Sequence, residues 1–327
     1  MNTNKTIVRL VGIGLLASLL VVCILVSDHL SEPSMIRESE TNILNHPVSG
    51  NVHRTDASET GKAAARDYLL RRDSADDLSD VFIDEILKNP KLVKRPSEIP
   101  RLSNSQVLEL VRNYAKISRP SEKKGILWAL AFSQNDLAFD TLRYAVGEEY
   151  AGQALSKADT ASQFRTMELL GVLAASSDRA WAYLQNLTLE NAWNRFESWS
   201  ADYLTEQYNS EEKSRNYIKS SIRESVYSAL GTSGRPEFLE WAEGVRSGDI
   251  APPDNLPSIA PSICSGVFAS TFIQEHGYSV YYDDVLYFAQ KGTGHYSQWS
   301  RSGDGKLWSD WWQRIVTEAA SKREKPN

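Results

Sequence analysis

An all-α fold is predicted for this 327-residue chain by three features of its sequence. Apolar residues recur at helical spacing through most of the chain after residue 60, strand-like alternation is nearly absent, and one short motif recurs three times in the same helix–turn–helix setting. Together they predict an irregular α-solenoid of stacked helix pairs, closed by a Trp-rich C-terminal capping helix and preceded by one transmembrane helix.

The expected transmembrane helix comes first. Leu10 to Val26 carries no charge, and with Ile7, Val8 and Arg9 the segment reaches 20 residues, about 30 Å of helix, enough for a bilayer core. Lys5 and Arg9 precede the apolar run, and Asp28, Glu32 and Glu38 follow it, so the positive-inside rule puts the N-terminus in the cytoplasm and the rest outside. A retained signal-anchor over residues 7–26 is the expectation. Cleavage after Val26-Ser27-Asp28 lacks the small-x-small pattern, and lipidation at Cys23 lacks a small residue before it. Residues 28–60 are rich in Ser, Glu, Asn, Thr and His, contain Pro33 and Pro47, and have no apolar period; they are expected to form a flexible polar linker.

The helical domain is expected over residues 61–323, with N-terminal helices to residue 104, helix pairs over 105–250 and an aromatic-rich end over 251–323. Leu137, Thr141, Leu142, Ala145 and Val146 lie on one helical face, as do Ile218, Ile222, Ser225, Val226 and Ala229, and then Phe238, Leu239, Ala242 and Val245. Ser121-Glu122, Asn135-Asp136, Ser177-Asp178 and Pro236 stand where first turns are expected. Tyr278 to Tyr282 is the one short strand candidate.

Leu130-Ala131-Phe132-Ser133, Leu173-Ala174-Ala175-Ser176 and Leu230-Gly231-Thr232-Ser233 share the pattern Leu-small-x-Ser, spaced by 43 and then 57 residues. Each ends an apolar helix before a short turn and a second helix. The small residue permits close approach of stacked helices. The longer second spacing fits an insert around Asn191 to Tyr208.

These residues resemble bacterial HEAT-repeat proteins, whose units are helix pairs of this length. Val226-Tyr227-Ser228-Ala229-Leu230-Gly231 followed by Pro236-Glu237-Phe238 looks most like one HEAT unit, and Gly305 to Trp312 looks like the Trp-rich helix that closes such arrays. The resemblance spans residues 105–315, interrupted at 189–208 and 251–261. It implies a binding or scaffolding surface and no catalytic residue.

Composition narrows the partners. Hydrophobic residues make up 41% and charged residues 24%, ordinary values for a folded protein. The net charge is −6, and Lys5 and Arg9 account for all the charge in the first 27 residues. An acidic domain without a basic face argues against nucleic acid. Of the two cysteines, Cys23 lies inside the apolar segment and is not expected to pair with Cys264, so neither a disulfide framework nor a cysteine metal site is expected. Neither a cofactor nor a metal is expected.

Aromatic residues supply the candidate binding positions. Ten fall between Tyr278 and Trp312, where the overall 10% content would give three or four. Trp308, Trp311 and Trp312 share one helix face and read first as a cap, with an exposed platform for a sugar or peptide as the alternative. Leu189, Trp193, Phe196, Ser200 and Tyr203 form a second stripe, with Trp199 beside it and Trp181 and Tyr183 nearby. The candidate contact residues are therefore Trp193, Phe196, Trp199, Tyr282, Trp299, Trp308 and Trp311, facing a protein or envelope-polymer partner.

A carboxylate-based enzyme acting on envelope glycan is the competing expectation. Glu275, Asp283, Asp284 and His295 would supply its acid and base if they converge. His276 and His295 lack metal-ligand spacing. Ser121 to Lys124 with Lys291-Gly292-Thr293-Gly294 only superficially matches serine acyl-enzyme motifs. Gly303-Asp304-Gly305-Lys306 lacks the hydroxyl of a phosphate loop and reads as a tight turn before the last helix.

Overall fold

The computed structural model describes residues 76–147, 156–189, 202–282 and 295–323; the apolar segment 7–26 and the linker 28–60 lie outside them. The described residues are all-helical, with no strand among them. The helices are α1 (Asp76–Lys88), α2 (Asn104–Tyr114), α3 (Lys124–Phe132), α4 (Phe139–Gly147), α5 (Lys157–Ala174), α6 (Asp178–Asn186), α7 (Asp202–Tyr208), α8 (Glu211–Thr232), α9 (Pro236–Ser247), α10 (Leu256–His276), α11 (His295–Trp299) and α12 (Gly303–Arg323). Short 3₁₀ turns at Pro96–Glu98, Pro120–Glu122 and Asp136–Ala138 precede α2, α3 and α4.

One row of helices carries the core. Along it α3 meets α5, α5 meets α8, α8 meets α10, and α10 meets α12. Flanking helices cover this row: α4 and α6 lie against α5, and α9 lies against α10. Gly125 to Phe132 of α3 are all buried, because α1, α2, α4 and α5 surround a helix that is apolar on every side. The stripe Ile218, Ile222, Val226 and Ala229 of α8 is buried as its period predicts. So are Phe238, Ala242 and Val245 of α9, and Leu142, Ala145 and Val146 of α4. Leu137 is 44% exposed: it sits in the 3₁₀ turn before α4, whose tighter winding rotates it off the stripe.

The three Leu-small-x-Ser motifs end α3, α5 and α8, and the serine has the same task in each. Ser133 Oγ donates to the Leu130 carbonyl at 2.7 Å, Ser176 Oγ to Leu173 at 3.4 Å and Ser233 Oγ to Leu230 at 2.5 Å. Each supplies a partner to a carbonyl that the last helical turn leaves free. After the first and third serines the chain enters the left-handed region, at Gln134 (φ 53°) and Gly234 (φ 64°). Next, Asn135 and Arg235 each donate a backbone N–H back to the serine oxygen, at 3.3 and 3.2 Å.

Neighbouring turns are bonded to one another. Gln134 Nε2 reaches the Val172 carbonyl at 2.9 Å, and Ser176 Oγ reaches the Gln134 carbonyl at 3.2 Å. Arg179 bridges Asp136 and Asp140, each at 3.0 Å. Arg235 donates through Nε to the Ala174 carbonyl at 2.7 Å and pairs with Asp178 at 2.8 Å. Gln274 Nε2 reaches the Gly234 carbonyl at 3.1 Å, and the Tyr278 hydroxyl lies 3.0 and 2.7 Å from the Thr232 and Ser233 carbonyls. The ends of α3, α5, α8 and α10 thus form one ladder.

Other expectations are corrected. Residues 278–282 are helical, not a strand, and put Tyr278 and Tyr282 on one buried face four residues apart. Gly303 to Lys306 form the first turn of α12 rather than a turn before it. Ser121 lies in a 3₁₀ turn and does not cap α3, whose N-terminal neighbour is Lys123. That lysine is 1% exposed, with Nζ 2.8 Å from the Ile117 carbonyl and 3.9 Å from the Tyr114 ring centroid. Ser177 and Asn135 cap as expected, accepting from Ala180 and Leu137.

Among the described residues, α10 alone is long and apolar enough to cross a membrane, but most of that stretch is buried. It lies between α8 and α12, so its composition is accounted for by its place in the core.

Glycine sets the spacing of the row. A Cβ on Gly171 of α5 would lie 2.2 Å from the Ala229 carbonyl oxygen of α8, and one on Gly231 would lie 2.2 Å from that of Gly266 on α10. Gly231→Ala is therefore expected to destabilise the domain by about 2–3 kcal/mol, although alanine is the better helix former. Gly303→Ala, with open space around it, is the control and should be near neutral. Chemical denaturation of both variants checks this; equal stability would show that α8 and α10 are not in such contact.

Candidate functional site

The aromatic residues expected at a binding surface are largely interior where they fall among the described residues. Tyr282, Trp308 and Trp311 are buried, as is Trp312, while Trp299 is partly buried. Trp193, Phe196 and Trp199 lie outside the described residues. Of the alternative acid–base set, Glu275 is exposed near the end of α10, 3.5 Å from His276. Asp283 and Asp284 lie outside the described residues, and His295 begins α11. Among the described residues no group of His, Cys, Asp and Glu is arranged to hold a metal ion.

A continuous seam of aromatic rings does exist, and it joins distant elements. Trp128 and Phe132 of α3 meet at 4.9 Å between centroids, and Tyr282 sits against them at 5.4 and 5.3 Å. Tyr281 follows at 5.1 Å from Tyr282 and lies 6.3 Å from Phe268 of α10. Phe268 in turn meets Tyr296 and Trp299 at 5.5 and 5.4 Å. Residues 278–282 therefore run from the end of α8, where Tyr278 is bonded, across to α3.

Polar groups line this seam. Arg165 of α5 pairs with Glu168 at 2.7 Å and lies 5.9 Å from the Trp128 ring. Burial works against the guanidinium charge, but the Glu168 carboxylate outweighs it and holds Arg165 more firmly protonated than usual. Burial drives the hydroxyls of Tyr278, Tyr281 and Tyr282 well above the ordinary phenol range, so all three remain neutral. Trp128 Nε1 and the Tyr282 hydroxyl are buried and have no hydrogen-bond partner among the described residues. Each is the kind of buried polar atom that native structures seldom leave unpaired.

The most perturbed carboxyl lies on α8. Glu224 follows Tyr217 and Ser221 at i+7 and i+3, on the side of the helix away from Ile218, Ile222 and Val226. Burial alone pushes its carboxyl up to about 7. Tyr217 is hydrogen-bonded to Ser221, and its ring lies 5.7 Å from that of Tyr208 on α7. The neighbouring Arg223 is turned to the Asp254 carbonyl at 2.8 Å. Sequence reading passes over Glu224, because its position on the polar side of an amphipathic helix predicts a solvated carboxylate. Only the tertiary fold removes it from water.

No protein family, curated protein or solved structure matches the chain.

The Glu224 environment has a measurable consequence for stability. The folded carboxyl keeps its proton up to about pH 7, against an ordinary value of 4.5. Between those values the folded state binds more protons than the unfolded state, so stability falls as pH rises through this window. Glu224→Gln removes the effect. Discounted for partial exposure, the variant should gain about 2 kcal/mol over the wild type between pH 4 and pH 8. Urea unfolding at the two pH values checks this, and a constant difference would show that Glu224 is solvated.

Proposed function

We propose that the chain is a membrane-anchored α-solenoid of HEAT-like helix pairs, which presents a helical surface outside the cytoplasm to a protein or envelope-polymer partner. The observation that carries this reading is the turn ladder. The ends of α3, α5 and α8 close with the same serine-to-leucine bond, and each turn is tied to the next, through Gln134, Arg235 and Gln274. Units joined by equivalent neighbour contacts form an extended array, whose work is recognition over a broad surface. Buried Trp308, Trp311 and Trp312 on α12, against α10 at the end of the row, support the reading of α12 as a cap. The anchor at residues 7–26 and the tether that follows would hold the array near the bilayer while letting it search.

The glycan-hydrolase alternative draws no support from Glu275, whose carboxylate is exposed at a helix end. Binding is the better reading.

Two measurements on the full-length protein in cells test the proposal. Protease added outside the cytoplasmic membrane should digest a C-terminal tag and spare an N-terminal one; the reverse would overturn the topology. A photo-crosslinking residue at Ser228, on the side of α8 that carries Glu224, should capture one dominant envelope component. The same residue at exposed Tyr144 of α4 should not. Indiscriminate or absent capture at both positions would sink the binding reading.

A further inference from the structure

We infer that the edge of the domain opposite the turn ladder is a docking surface for a bilayer carrying anionic phospholipid headgroups, the membrane in which the chain's own anchor sits. The inference deepens the proposed reading and rests on its anchor at residues 7–26.

The first three helices fix where that edge is. Gln106 near the start of α2 bonds Ser79 and Asp80 near the start of α1, at 2.8 and 2.7 Å, and Asn104 accepts from Asn135 of the first ladder turn at 2.8 Å. Both helices therefore start at the ladder and end away from it. α3 runs the other way. Its Gly125 N–H donates to the Pro90 carbonyl just past α1 at 2.8 Å, and Lys123 before it reaches the Ile117 carbonyl just past α2 at 2.8 Å.

Basic side chains gather where these three helix ends meet. Lys88, Lys91, Arg112, Lys116 and Arg119 are exposed, and Lys124 is partly so. Within residues 88–91 and 112–124 the one acid is Glu122. Lys88 also lies 3.7 Å from Asp84, with both side chains open to solvent. Sequence reading sees no basic face, because the two stretches become neighbours through the contact of Pro90 with Gly125. Helix dipoles account for part of the cluster: Lys88 and Arg112 stand in the last turns of α1 and α2, where a cation is favoured. They do not account for α3, which begins at the same edge. Its first turn has no acid and no side-chain cap, and Lys124 stands in it. A cation at a helix N-terminus costs stability, and the partial positive charge of that terminus adds to the potential of the lysines and arginines.

A positive edge on a chain of net charge −6 has a direction. Beside an anionic surface this edge is drawn in while the acidic remainder is repelled, so the charge distribution turns the domain as well as holding it. The occupant follows from the anchor. The linker over residues 28–60 keeps the domain beside one bilayer, where weak headgroup contacts act at high effective concentration. Docked in this way, the domain turns its ladder edge away from the membrane.

The test uses the full-length chain, reconstituted through its anchor into vesicles of phosphatidylcholine alone or of phosphatidylcholine and phosphatidylglycerol in equal parts. A fraction of the headgroups carries an energy acceptor. A fluorescent residue is placed at Ser118, in the basic edge, or at Ser105, at the ladder end of α2; both positions are exposed. Transfer from Ser118 should rise with phosphatidylglycerol and exceed that from Ser105. It should fall back to the phosphatidylcholine level in about 1 M salt, where the screening length is about 3 Å. Arg112→Gln with Lys116→Gln and Arg119→Gln should remove the rise. The same change of charge on α12, Lys306→Gln with Arg314→Gln and Lys322→Gln, should leave it. All six side chains are exposed, so both variants should unfold at the wild-type temperature. Equal loss in the two variants, or equal transfer from the two positions, would overturn the docking edge. An unmoved lipid signal, with a DNA duplex or a poly-glutamate peptide shifting the Ser118 emission instead, would overturn the lipid assignment in favour of a soluble polyanion. No response to any of them would overturn the edge altogether. Flotation of the vesicles in about 1 M salt reads the anchor by itself, because screening cancels the patch and spares a spanning helix.

Discussion

The close approach of three helix backbones is the constraint on which the rest of the domain depends. Side chains ordinarily hold packed helices 8–10 Å apart. Between α5 and α8, and between α8 and α10, there is no room for even a Cβ at Gly171, Gly231 or Gly266. Such contacts fix the register of each helix along its neighbour, because a small slide drives a carbonyl into a Cα. The C-terminal ends of the three helices therefore lie side by side. The ladder follows from that: the reach from Arg235 to the Ala174 carbonyl, and from Gln274 to the Gly234 carbonyl, is one side chain long. These polar bonds do not bring the helices together. They record, with a satisfied donor at each step, that the helices are already in place.

Much of this was legible in local sequence, and the division between legible and hidden is physical. Helical period, the caps at Asn135 and Ser177 and the repeated Leu-small-x-Ser motif depend on residues within one or two turns of each other. The small residue at Gly231 was readable as a close approach, but its counterpart Gly266 lies in another helix and carries no local mark. The motif serine was visible as a repeat before its role was: it bonds the leucine carbonyl three residues back, a task that any C-terminal hydroxyl can perform. Residues 278–282 were misread because aromatic residues favour strands in general. Here burial of Tyr278 and Tyr282 against α3 and α8 outweighs that preference.

The C-terminal aromatics were legible as a cluster, read first as a cap and alternatively as a binding platform. Density alone does not distinguish a platform from a core, and Trp308, Trp311 and Trp312 face inward. The seam also draws on Trp128 and Phe268, some 140 residues apart in sequence. Glu224 was hidden for a different reason. On a helix with a buried apolar stripe the opposite side is assigned to solvent, and the assignment fails when other elements cover part of that side.

A contrast within the fold follows from the way polar groups are distributed. Along the turn edge the donors are matched: Gln134, Ser176, Arg179, Arg235, Gln274 and Tyr278 each have a named acceptor. Away from that edge the matching breaks down. Among the described residues Trp128 Nε1 and the hydroxyls of Tyr227 and Tyr282 have no hydrogen-bond partner, and burial raises the Glu224 carboxyl. Each lowers stability by the cost of an unmade bond. The unmade bonds of Trp128, Tyr227 and Tyr282 lie in the interior, so their cost falls on the stability of the packed helices and not on their surface.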